Sequence, residues 1–325
     1  IPIFVLILST IGTNLNNFNY LWDYLLVDYS INTIKLVFMT VFFSLIFGVL
    51  PAWFVSTTDF KLRKTYDLLL YLPLAIPTYI MAFTYSDIVS YTGPIQSFLR
   101  NYAPKFAEII NVDYLQIEFL SILLSLSLYP YVYTTCRIAF SRIGNSYINL
   151  SKTLGLSEFS TFFKIAIPIS RAAIFSGLFL IVMEVLNEYG AVNYFGVNTY
   201  TSGIFRAWGP MVDIQTASLL AVFLFIVVAL FFILERYVNS KYKFNYAINS
   251  GVRSYFPNSK IKYVIINLVC LVPIILGFII PIIHMLKNIL KKSLNHDFFD
   301  VLTLTGNTIF VSIIASIFII IFSIL

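Results

Sequence analysis

Long apolar segments recur along this chain, and they leave few choices about its fold. Eight segments contain enough apolar residues to form all or part of a membrane-spanning helix, which needs about 20 of them. They lie at about 1–11 (too short to span), 31–55, 68–88, 117–138, 172–189, 216–234, 263–284 and 306–325. Prolines inside these segments are expected to kink the helices, namely Pro51, Pro73, Pro77, Pro130 and Pro273. Because the segments are about twice as long as the strands of a membrane barrel, the sequence predicts an all-α, polytopic transmembrane helix bundle of about eight spans.

The composition supports the membrane assignment and excludes several other classes of protein. Hydrophobic residues make up 59% of the chain and charged residues 11%, whereas a soluble domain carries about 25% charge. The net charge of +6 does not predict a nucleic-acid partner, because the basic residues lie in short loops between apolar segments. Two distant cysteines, Cys136 and Cys270, indicate neither a disulfide framework nor a metal-ligand spacing.

The basic residues also predict the orientation of the chain in the lipid bilayer. Cytoplasmic loops of membrane proteins carry an excess of Lys and Arg. The loops at 56–67, 137–171 and 235–262 hold 14 of the 21 basic residues, and Lys35 lies inside a span. We therefore expect these three loops on the cytoplasmic side.

A moderately polar stretch, here called the 149–168 turn, separates two of the apolar segments. Residues 149–154 are predicted to form a short helix that Gly155 ends, because glycine accepts the left-handed conformation of a helix C-cap. Ser157 is predicted to cap a second short helix. The apolar side of that helix is formed by Phe159, Phe162 and Phe163. The stretch should therefore fold as a compact turn of two short helices.

The spacing of this turn resembles the EAA loop of ABC-importer permeases, in which E-A-A, three residues, glycine and nine residues precede I-x-L-P. Asn149, Leu150 and Ser151 replace the E-A-A, and Ile167 replaces the leucine. The resemblance implies that the turn docks into a groove of a cytoplasmic ATPase. The coupling residues that it implies are Asn149, Ser151, Gly155, Leu156, Ile165 and Pro168. An ordinary cytoplasmic turn between two membrane helices is the alternative.

Two carboxylates lie near the end of the segment that follows the turn. Glu184 and Glu188 are four residues apart, so one helical face is predicted to present both. Carboxylates in a membrane are costly and usually face a water-filled cavity or a partner. Hard cations prefer oxygen ligands, and Tyr189 and Tyr194 add two phenol oxygens. These four residues are the candidate translocation pathway, and no metal site is firmly assigned; in the alternative, Glu188 is solvated and Glu184 pairs with a neighbouring helix.

The sequence around these carboxylates, here called the 184–208 segment, resembles ferric-iron importer permeases. Their pattern reads approximately E-x-L-x-D-F/Y-G, then F-G-x-x-T-x-T, then R-x-W. The matching residues are Glu184, Glu188 (where aspartate is usual), Tyr189, Gly190, Phe195, Gly196, Thr199, Thr201, Arg206 and Trp208. With the turn, the likeness covers most of residues 30–240. It implies the type I ABC-importer permease fold, with ferric iron as cargo.

The resemblance also implies the partners and the location. A periplasmic substrate-binding protein would deliver the cargo, and a dimer of cytoplasmic ABC ATPase subunits would drive transport across the bacterial inner membrane. The chain has no G-x-x-x-x-G-K-[ST] phosphate-binding loop. ATP and magnesium are therefore expected on the partner, and this chain is expected to be neither an enzyme nor a cofactor-binding subunit.

A short repeat predicts the domain organisation. Residues 30–34 (SINTI) begin the second apolar segment, and residues 305–309 (TGNTI) begin the eighth, six spans later. An even number of spans gives both copies the same orientation. We expect a first permease half at 1–234, a cytoplasmic linker at 235–262 and the start of a second half at 263–325. Since the chain begins without methionine and stops within an apolar run, we also expect it to be part of a longer protein.

Other functions remain open from the sequence. Permeases for thiamine, sulfate, molybdate or polyamines are alternatives within the resemblance. A proton-coupled secondary transporter is an alternative of a different class, because Glu184 and Glu188 can bind protons. Such a transporter would have no ATPase for the 149–168 turn to contact. A membrane-embedded enzyme is disfavoured, since the sequence contains no nucleophile elbow and no zinc motif.

Overall fold

The computed structural model describes residue 10 and residues 22–240, 260–292 and 298–324. Within these ranges the chain forms helices and no β-strand, which confirms the all-α prediction. The helices are α1 Val27–Thr57 (preceded by a π-helical turn, Trp22–Leu26), α2 Arg63–Leu69, α3 Thr78–Val89, α4 Pro94–Tyr102, α5 Pro104–Ile110, α6 Ile117–Thr153, α7 Glu158–Thr161, α8 Ile167–Asn187, α9 Gly190–Tyr194, α10 Tyr200–Trp208, α11 Ile214–Ser240, α12 Lys260–Ile274, α13 Ile280–Lys292 and α14 Phe298–Ile324.

Six helical runs among the described residues are long and apolar enough to cross a membrane. They are Trp22–Thr57, Ile117–Arg142, Glu158–Asn187, Ile214–Tyr237, Lys260–Leu290 and Val301–Ser323. Each overlaps a span predicted from the sequence, and a bent pair of helices gives a seventh. The predicted partial span at 1–11 lies outside the described residues.

The predicted span at 68–88 is not one helix, which corrects the expectation of a kink. The runs Arg63–Ala75 and Thr78–Tyr102 meet at an angle of 91°. Between them, Ile76 is extended (φ −98°, ψ 114°) and Pro77 has φ −54° and ψ 140°. A proline disfavours the α conformation at the residue before it. The Ile76-Pro77 pair therefore breaks the helix at this point.

The prolines inside the longer helices leave those helices continuous. Pro51 lies within α1, Pro130 within α6 and Pro273 within α12. The Thr134 hydroxyl donates to the Pro130 carbonyl at 2.6 Å, and a π-helical turn, Ile275–Ile279, follows Pro273. Each proline lacks the N–H that would bond the carbonyl four residues earlier, and a bundle of neighbouring helices tolerates such a missing bond.

The core of the bundle is built around α6, which packs between α1 and α8. A Cβ atom added at Gly48 of α1 would lie 3.1 Å from the Tyr129 carbonyl oxygen of α6. One added at Gly177 of α8 would lie 2.8 Å from the Val132 Cα atom of α6. Small residues let membrane helices approach closely, and van der Waals packing then holds them together. Both neighbours of α6 therefore depend on a glycine at the contact.

Two contacts show that the three basic loops lie at one end of the bundle. The Trp53 ring, near the end of α1, lies 5.4 Å from the Phe162 ring of the 149–168 turn, measured between ring centroids. The Lys262 Nζ atom at the start of α12 lies 2.9 Å from the Glu158 Oε1 atom. The loops at 56–67 and 137–171 and the described end of the loop at 235–262 thus lie close together, as the alternation of spans requires.

The opposite end is held by polar contacts between helix termini. The Lys35 Nζ atom of α1 lies 2.5 Å from the Glu118 Oε1 atom at the start of α6. The Ser30 and Tyr200 hydroxyls lie 2.6 Å apart and join α1 to α10. Lys35, a cation inside a predicted span, therefore has a carboxylate partner, as charged groups within membranes usually do.

The chain divides into two compact units, Ile1–Pro281 and Ile282–Leu325. In the second unit, the Asn288 amide lies 3.1 Å from the His284 Nε2 atom. The Thr305 hydroxyl of α14 donates to the Val301 carbonyl at 2.7 Å. The division expected from the repeat, with halves at 1–234 and 263–325, stays a prediction, and much of its linker lies outside the described residues.

The orientation can be checked by cysteine labelling of intact cells. The two native thiols are buried, Cys136 and Cys270 both being 0% exposed, and should not react. A cysteine at Lys164, exposed beside the basic loops, should react only with membrane-permeant maleimides. One at Asn101, exposed at the end of α4, should also react with impermeant ones. The reverse pattern would overturn the orientation.

Candidate functional site

Helix α6 ends within the 149–168 turn, and Gly155 terminates it. Its φ of +71° lies in the left-handed region, and a Cβ there would meet nothing within 4 Å. The Leu156 N–H donates to the Ser151 carbonyl at 2.9 Å, which is the backbone bond of a Schellman helix end. Glycine is therefore required here by backbone conformation and not by lack of space, as predicted.

The second half of the turn is capped as expected, but its helix is not short. The Ser157 hydroxyl accepts from the Ser160 N–H at 3.2 Å. From Glu158 the helix continues through a π-helical turn, Phe162–Ala166, into α8. The prediction of two short helices is therefore wrong, because the first is the end of α6 and the second is the start of a long span. The π-helical turn directly before α8 relieves the clash that Pro168 would make with the preceding turn.

Buried contacts fix the turn against the bundle. Ser151 and Thr161 are 1% and 5% exposed, and their hydroxyl oxygens lie 3.0 Å apart, joining the two arms. Phe162 is 5% exposed, with its ring centroid 5.4 Å from that of Trp53 and 6.4 Å from that of Phe140. The turn is therefore a rigid extension of α6 and α8.

The outer side of the turn is apolar and exposed. Leu154, Phe159 and Phe163 are 68%, 74% and 49% exposed, and the two phenylalanine rings lie 4.6 Å apart. Such a protruding aromatic pair is suited to insertion into an apolar groove of another protein. The turn thus combines a buried anchor with an exposed contact surface.

The other predicted coupling residues have different surroundings. Leu156 and Ile165 are half-buried, and Pro168, at the second position of α8, is exposed. Asn149 lies within α6, but its side chain falls outside the described residues. The role of these residues in coupling stays a prediction.

Glu184 and Glu188 do not share a helical face, which corrects the sequence expectation. Helix α8 ends at Asn187, and Glu188 is extended, with φ −73° and ψ 116°. Its carboxylate accepts from the Ala191 N–H at 2.8 Å and from the Thr78 hydroxyl. Glu188 thus caps α9 and ties it to α3, immediately after the 91° bend.

Glu184, in contrast, lies on the exposed surface of α8. Its Oε1 atom accepts from the Tyr131 hydroxyl of α6 at 3.2 Å. Neither Glu184 nor Glu188 forms an ion pair with another residue of the described ranges. The partner on the neighbouring helix is therefore a neutral phenol and not a basic residue.

The two tyrosines of the candidate pathway make aromatic contacts. The Tyr189 ring stacks on Phe205 at 4.0 Å, and the Tyr194 ring lies 5.6 Å from Phe83. In the part of the chain that the structure describes, no group of three His, Cys, Asp or Glu side chains converges as a metal site would require. A pathway role for these residues stays a prediction.

Several residues of the 184–208 segment have clear structural roles. Gly196 has a φ of +67° and turns the chain between α9 and α10. Thr199 and Ser202 form a reciprocal capping box at the start of α10. The Thr201 hydroxyl donates to the Leu186 carbonyl at 2.8 Å and so joins α10 to the end of α8. This part of the motif shapes the outer end of the bundle.

Sequence reasoning missed a polar network at the end that holds the basic loops. The Arg137 Nε and Nη2 atoms donate to the Asp67 carboxylate at 3.0 and 2.8 Å, and the Tyr133 hydroxyl donates to it at 2.7 Å. The Tyr66 hydroxyl donates to Asn267 Oδ1 of α12 at 3.0 Å. The network joins α2, α6 and α12. The available signal was a pair of opposite charges at the ends of two apolar segments, Asp67 just before 68–88 and Arg137 near the end of 117–138.

These features define a class of protein: a polytopic helical membrane protein with a rigid, exposed turn between two of its spans. The chain belongs to the family described as "Binding-protein-dependent transport system inner membrane component", whose sequence profile matches residues 44–244. The matched range contains both the 149–168 turn and the 184–208 segment. The recognition made from the sequence is therefore confirmed at the level of the family.

Curated relatives have permease names. The sulfate transport system permease protein CysT of Salmonella typhimurium is 27% identical over 166 residues, which cover 51% of this chain and 57% of the relative. The Fe(3+)-transport system permease protein FbpB 2 of Haemophilus influenzae is 25% identical over 190 residues, which cover 58% of this chain and 33% of the relative. The chain thus spans between a third and three fifths of the length of these relatives.

The fold also matches a solved transporter. A chain from the crystal structure of a bacterial alginate ABC transporter, in complex with an alginate pentasaccharide-bound periplasmic protein, superimposes with a TM-score of 0.59. The sequence identity is 16%, and the match covers 74% of this chain and 88% of the other. This likeness confirms the predicted ABC-permease fold.

The two glutamates should differ in their effect on stability. Glu188→Ala removes the acceptor of two hydrogen bonds and is expected to lower the free energy of unfolding by about 2 kcal/mol. Glu184→Ala, on the exposed face of α8, should change it by no more than about 0.5 kcal/mol. Thermal unfolding of the purified variants in detergent measures both. Equal destabilisation by the two substitutions would contradict this assignment.

Proposed function

We propose that this chain is the membrane-spanning permease subunit of a binding-protein-dependent ABC importer. The observation that carries the proposal is the 149–168 turn, which is rigidly anchored inside and apolar outside. Its contact surface is formed by Leu154, Phe159 and Phe163. Membership of the permease family supports the same conclusion.

In this proposal the turn is the mechanical connection to a separate ATPase. Phe159 and Phe163 would enter a groove of the ATPase, while Phe162 holds the turn against α1 and α6. Because the turn joins α6 to α8 without a flexible linker, a displacement of the ATPase would move both helices. Domain closure around ATP can then switch the bundle between outward-open and inward-open states. ATP and magnesium would be bound by the ATPase alone.

The opposite end of the bundle would receive the cargo. We infer that a periplasmic binding protein docks there and that the chain lies in a bacterial inner membrane. The structural relative is a transporter in complex with a periplasmic protein, which supports such a partner. The short helices α9 and α10, fixed by Glu188 and Thr201, would offer a rigid surface to it.

The cargo proposed from the 184–208 segment is ferric iron. Its support is the exposed carboxylate of Glu184, with the Tyr131 hydroxyl beside it, because hard cations prefer oxygen ligands. Sulfate is a second candidate, favoured by the name of a relative that is 27% identical. Ferric iron is a cation and sulfate is an anion. A negative charge at Glu184 therefore favours binding of iron and disfavours binding of sulfate.

The docking role of the turn predicts a loss of ATPase binding without a loss of stability. The double substitution Phe159→Ser and Phe163→Ser should weaken binding of the cognate ATPase by about 30-fold or more, since even one aromatic hot spot at an interface contributes about 2 kcal/mol or more. The unfolding temperature should not change, because both rings are exposed. Co-purification and surface plasmon resonance measure the effect.

The matched control removes two exposed phenylalanines at the other end of the bundle. Phe98 and Phe106, on α4 and α5, are 60% and 62% exposed, and Phe98→Ser with Phe106→Ser should leave ATPase binding unchanged. ATPase binding that survives loss of Phe159 and Phe163 would remove the turn from the mechanism. Transport without any ATPase would favour the proton-coupled secondary transporter instead.

Uptake of the two candidate cargoes can be compared directly. In cells expressing the importer, Glu184→Gln should reduce uptake of radiolabelled ferric iron at least about tenfold if the carboxylate binds the cation. Uptake of labelled sulfate should be unchanged or increased, because removal of a negative charge favours an anion. The control is Glu108→Gln, an exposed glutamate on α5. If the wild type takes up sulfate but not iron, sulfate replaces iron as the proposed cargo.

A further inference from the structure

The structure contains a basic cavity that neither the 149–168 turn nor the 184–208 segment uses. It has a volume of about 970 Å³ and lies at the end of the bundle that holds the basic loops. The loop after α1, the helix α2, one side chain of α6 and one of α12 form its wall. The basic side chains that line it are Lys61, Arg63, Lys64 and Arg137.

The charges of the lining favour an anion. Two carboxylates, Asp59 and Asp67, accompany the four basic side chains, which leaves an excess of two positive charges. Asp67 is already engaged by both donors of the Arg137 fork and by the Tyr133 hydroxyl, at 2.7 to 3.0 Å. Its charge is therefore balanced within the wall, and the remaining positive charge belongs to Lys61 in the loop after α1 and to the first turn of α2.

The loop after α1 and the first turn of α2 supply two exposed lysines with flexible donors. Lys61 and Lys64 are exposed and take part in no ion pair within the described ranges. Each ammonium carries three donors on a flexible stem. Arg63 is fixed beside them, because its Nε atom donates to the Val55 carbonyl at 2.7 Å. The cavity thus combines a fixed wall with two lysines that can adjust to the oxygens of a phosphate group.

Exposed apolar side chains lie close in sequence to the residues that line the cavity. Leu62 and Leu68 are 42% and 68% exposed, and Ile261 at the start of α12 is 71% exposed. The half-buried side chain of Tyr263 lines the cavity beside them. Tyrosine and lysine side chains are typical of the level at which lipid headgroups lie. A phosphate in the cavity would therefore place attached acyl chains against apolar side chains.

We propose that this cavity binds a phosphate group, carried either by an anionic phospholipid or by free inorganic phosphate. An anionic headgroup at the cytoplasmic surface is attracted by clustered lysines beside a span, and the basic loops assign this end to the cytoplasm. A bound lipid would connect the loop after α1 to α12, next to the network of Asp67 and Arg137. The proposal does not depend on the cargo or on the ATPase.

Native mass spectrometry of the purified protein tests the proposal, with phosphatidylglycerol and phosphatidylcholine titrated separately. The wild type should bind phosphatidylglycerol more tightly. The double substitution Lys61→Gln and Lys64→Gln should weaken that binding about 30-fold. The charge-matched control, Lys105→Gln with Lys164→Gln, removes two exposed lysines elsewhere and should bind as the wild type does.

Inorganic phosphate in a parallel calorimetric titration distinguishes the two sources. Phosphatidylglycerol binding without phosphate binding identifies a lipid headgroup site, whereas phosphate binding that the lysine substitutions weaken identifies a site for the free anion. The double substitution Lys61→Arg and Lys64→Arg keeps both charges and should retain binding. It keeps the proposal testable if the glutamine variant does not fold. A wild type that neither prefers phosphatidylglycerol nor binds phosphate would overturn the proposal, as would equal binding by the glutamine variant.

Discussion

A chain in the hydrocarbon core of a membrane must satisfy its backbone polar groups internally, and this constraint explains most of the architecture. It forces every long apolar segment into a helix, and it determines what happens where a helix cannot continue. Pro130 lies within the continuous helix α6, where it forgoes the hydrogen bond from its own position to the carbonyl four residues earlier. At Ile76-Pro77 the chain instead breaks into two helices at 91°. Both solutions leave helical backbone on either side of the proline.

Close packing then decides which helices carry the rest of the molecule. α6 approaches α1 and α8 at Gly48 and Gly177, and its far end continues directly into the 149–168 turn. The same helix supplies Arg137 to the network with Asp67 and Tyr131 to the contact with Glu184. One rigid element therefore connects the proposed ATPase contact, the basic cavity and the proposed pathway. A displacement of the turn cannot leave the other two sites unaffected.

The two candidate sites use similar residue types for different purposes. At the turn, one phenylalanine is buried and two neighbouring ones are exposed, so the same side chain serves as anchor or as contact according to its position on the helix. In the 184–208 segment, Glu188 caps a helix while Glu184, one turn earlier, is exposed with a single tyrosine partner. A motif match therefore does not say which of its residues act on a ligand. Helix ends, which change the direction of side chains, decide that.

The amino-acid sequence was enough to predict the all-α class, most of the spans, the gathering of the basic loops at one end, and the left-handed glycine at position 155. Hydrophobicity, charge and backbone sterics are local properties that a sequence displays directly. The tertiary structure was needed to show that Glu184 and Glu188 face different partners, because that depends on α8 ending at Asn187. It alone brought Asp67 to Arg137, Phe162 to Trp53, and Lys61 and Lys64 to Tyr263 of α12. These residues are separated by tens to hundreds of positions, and packing between helices is what makes them neighbours.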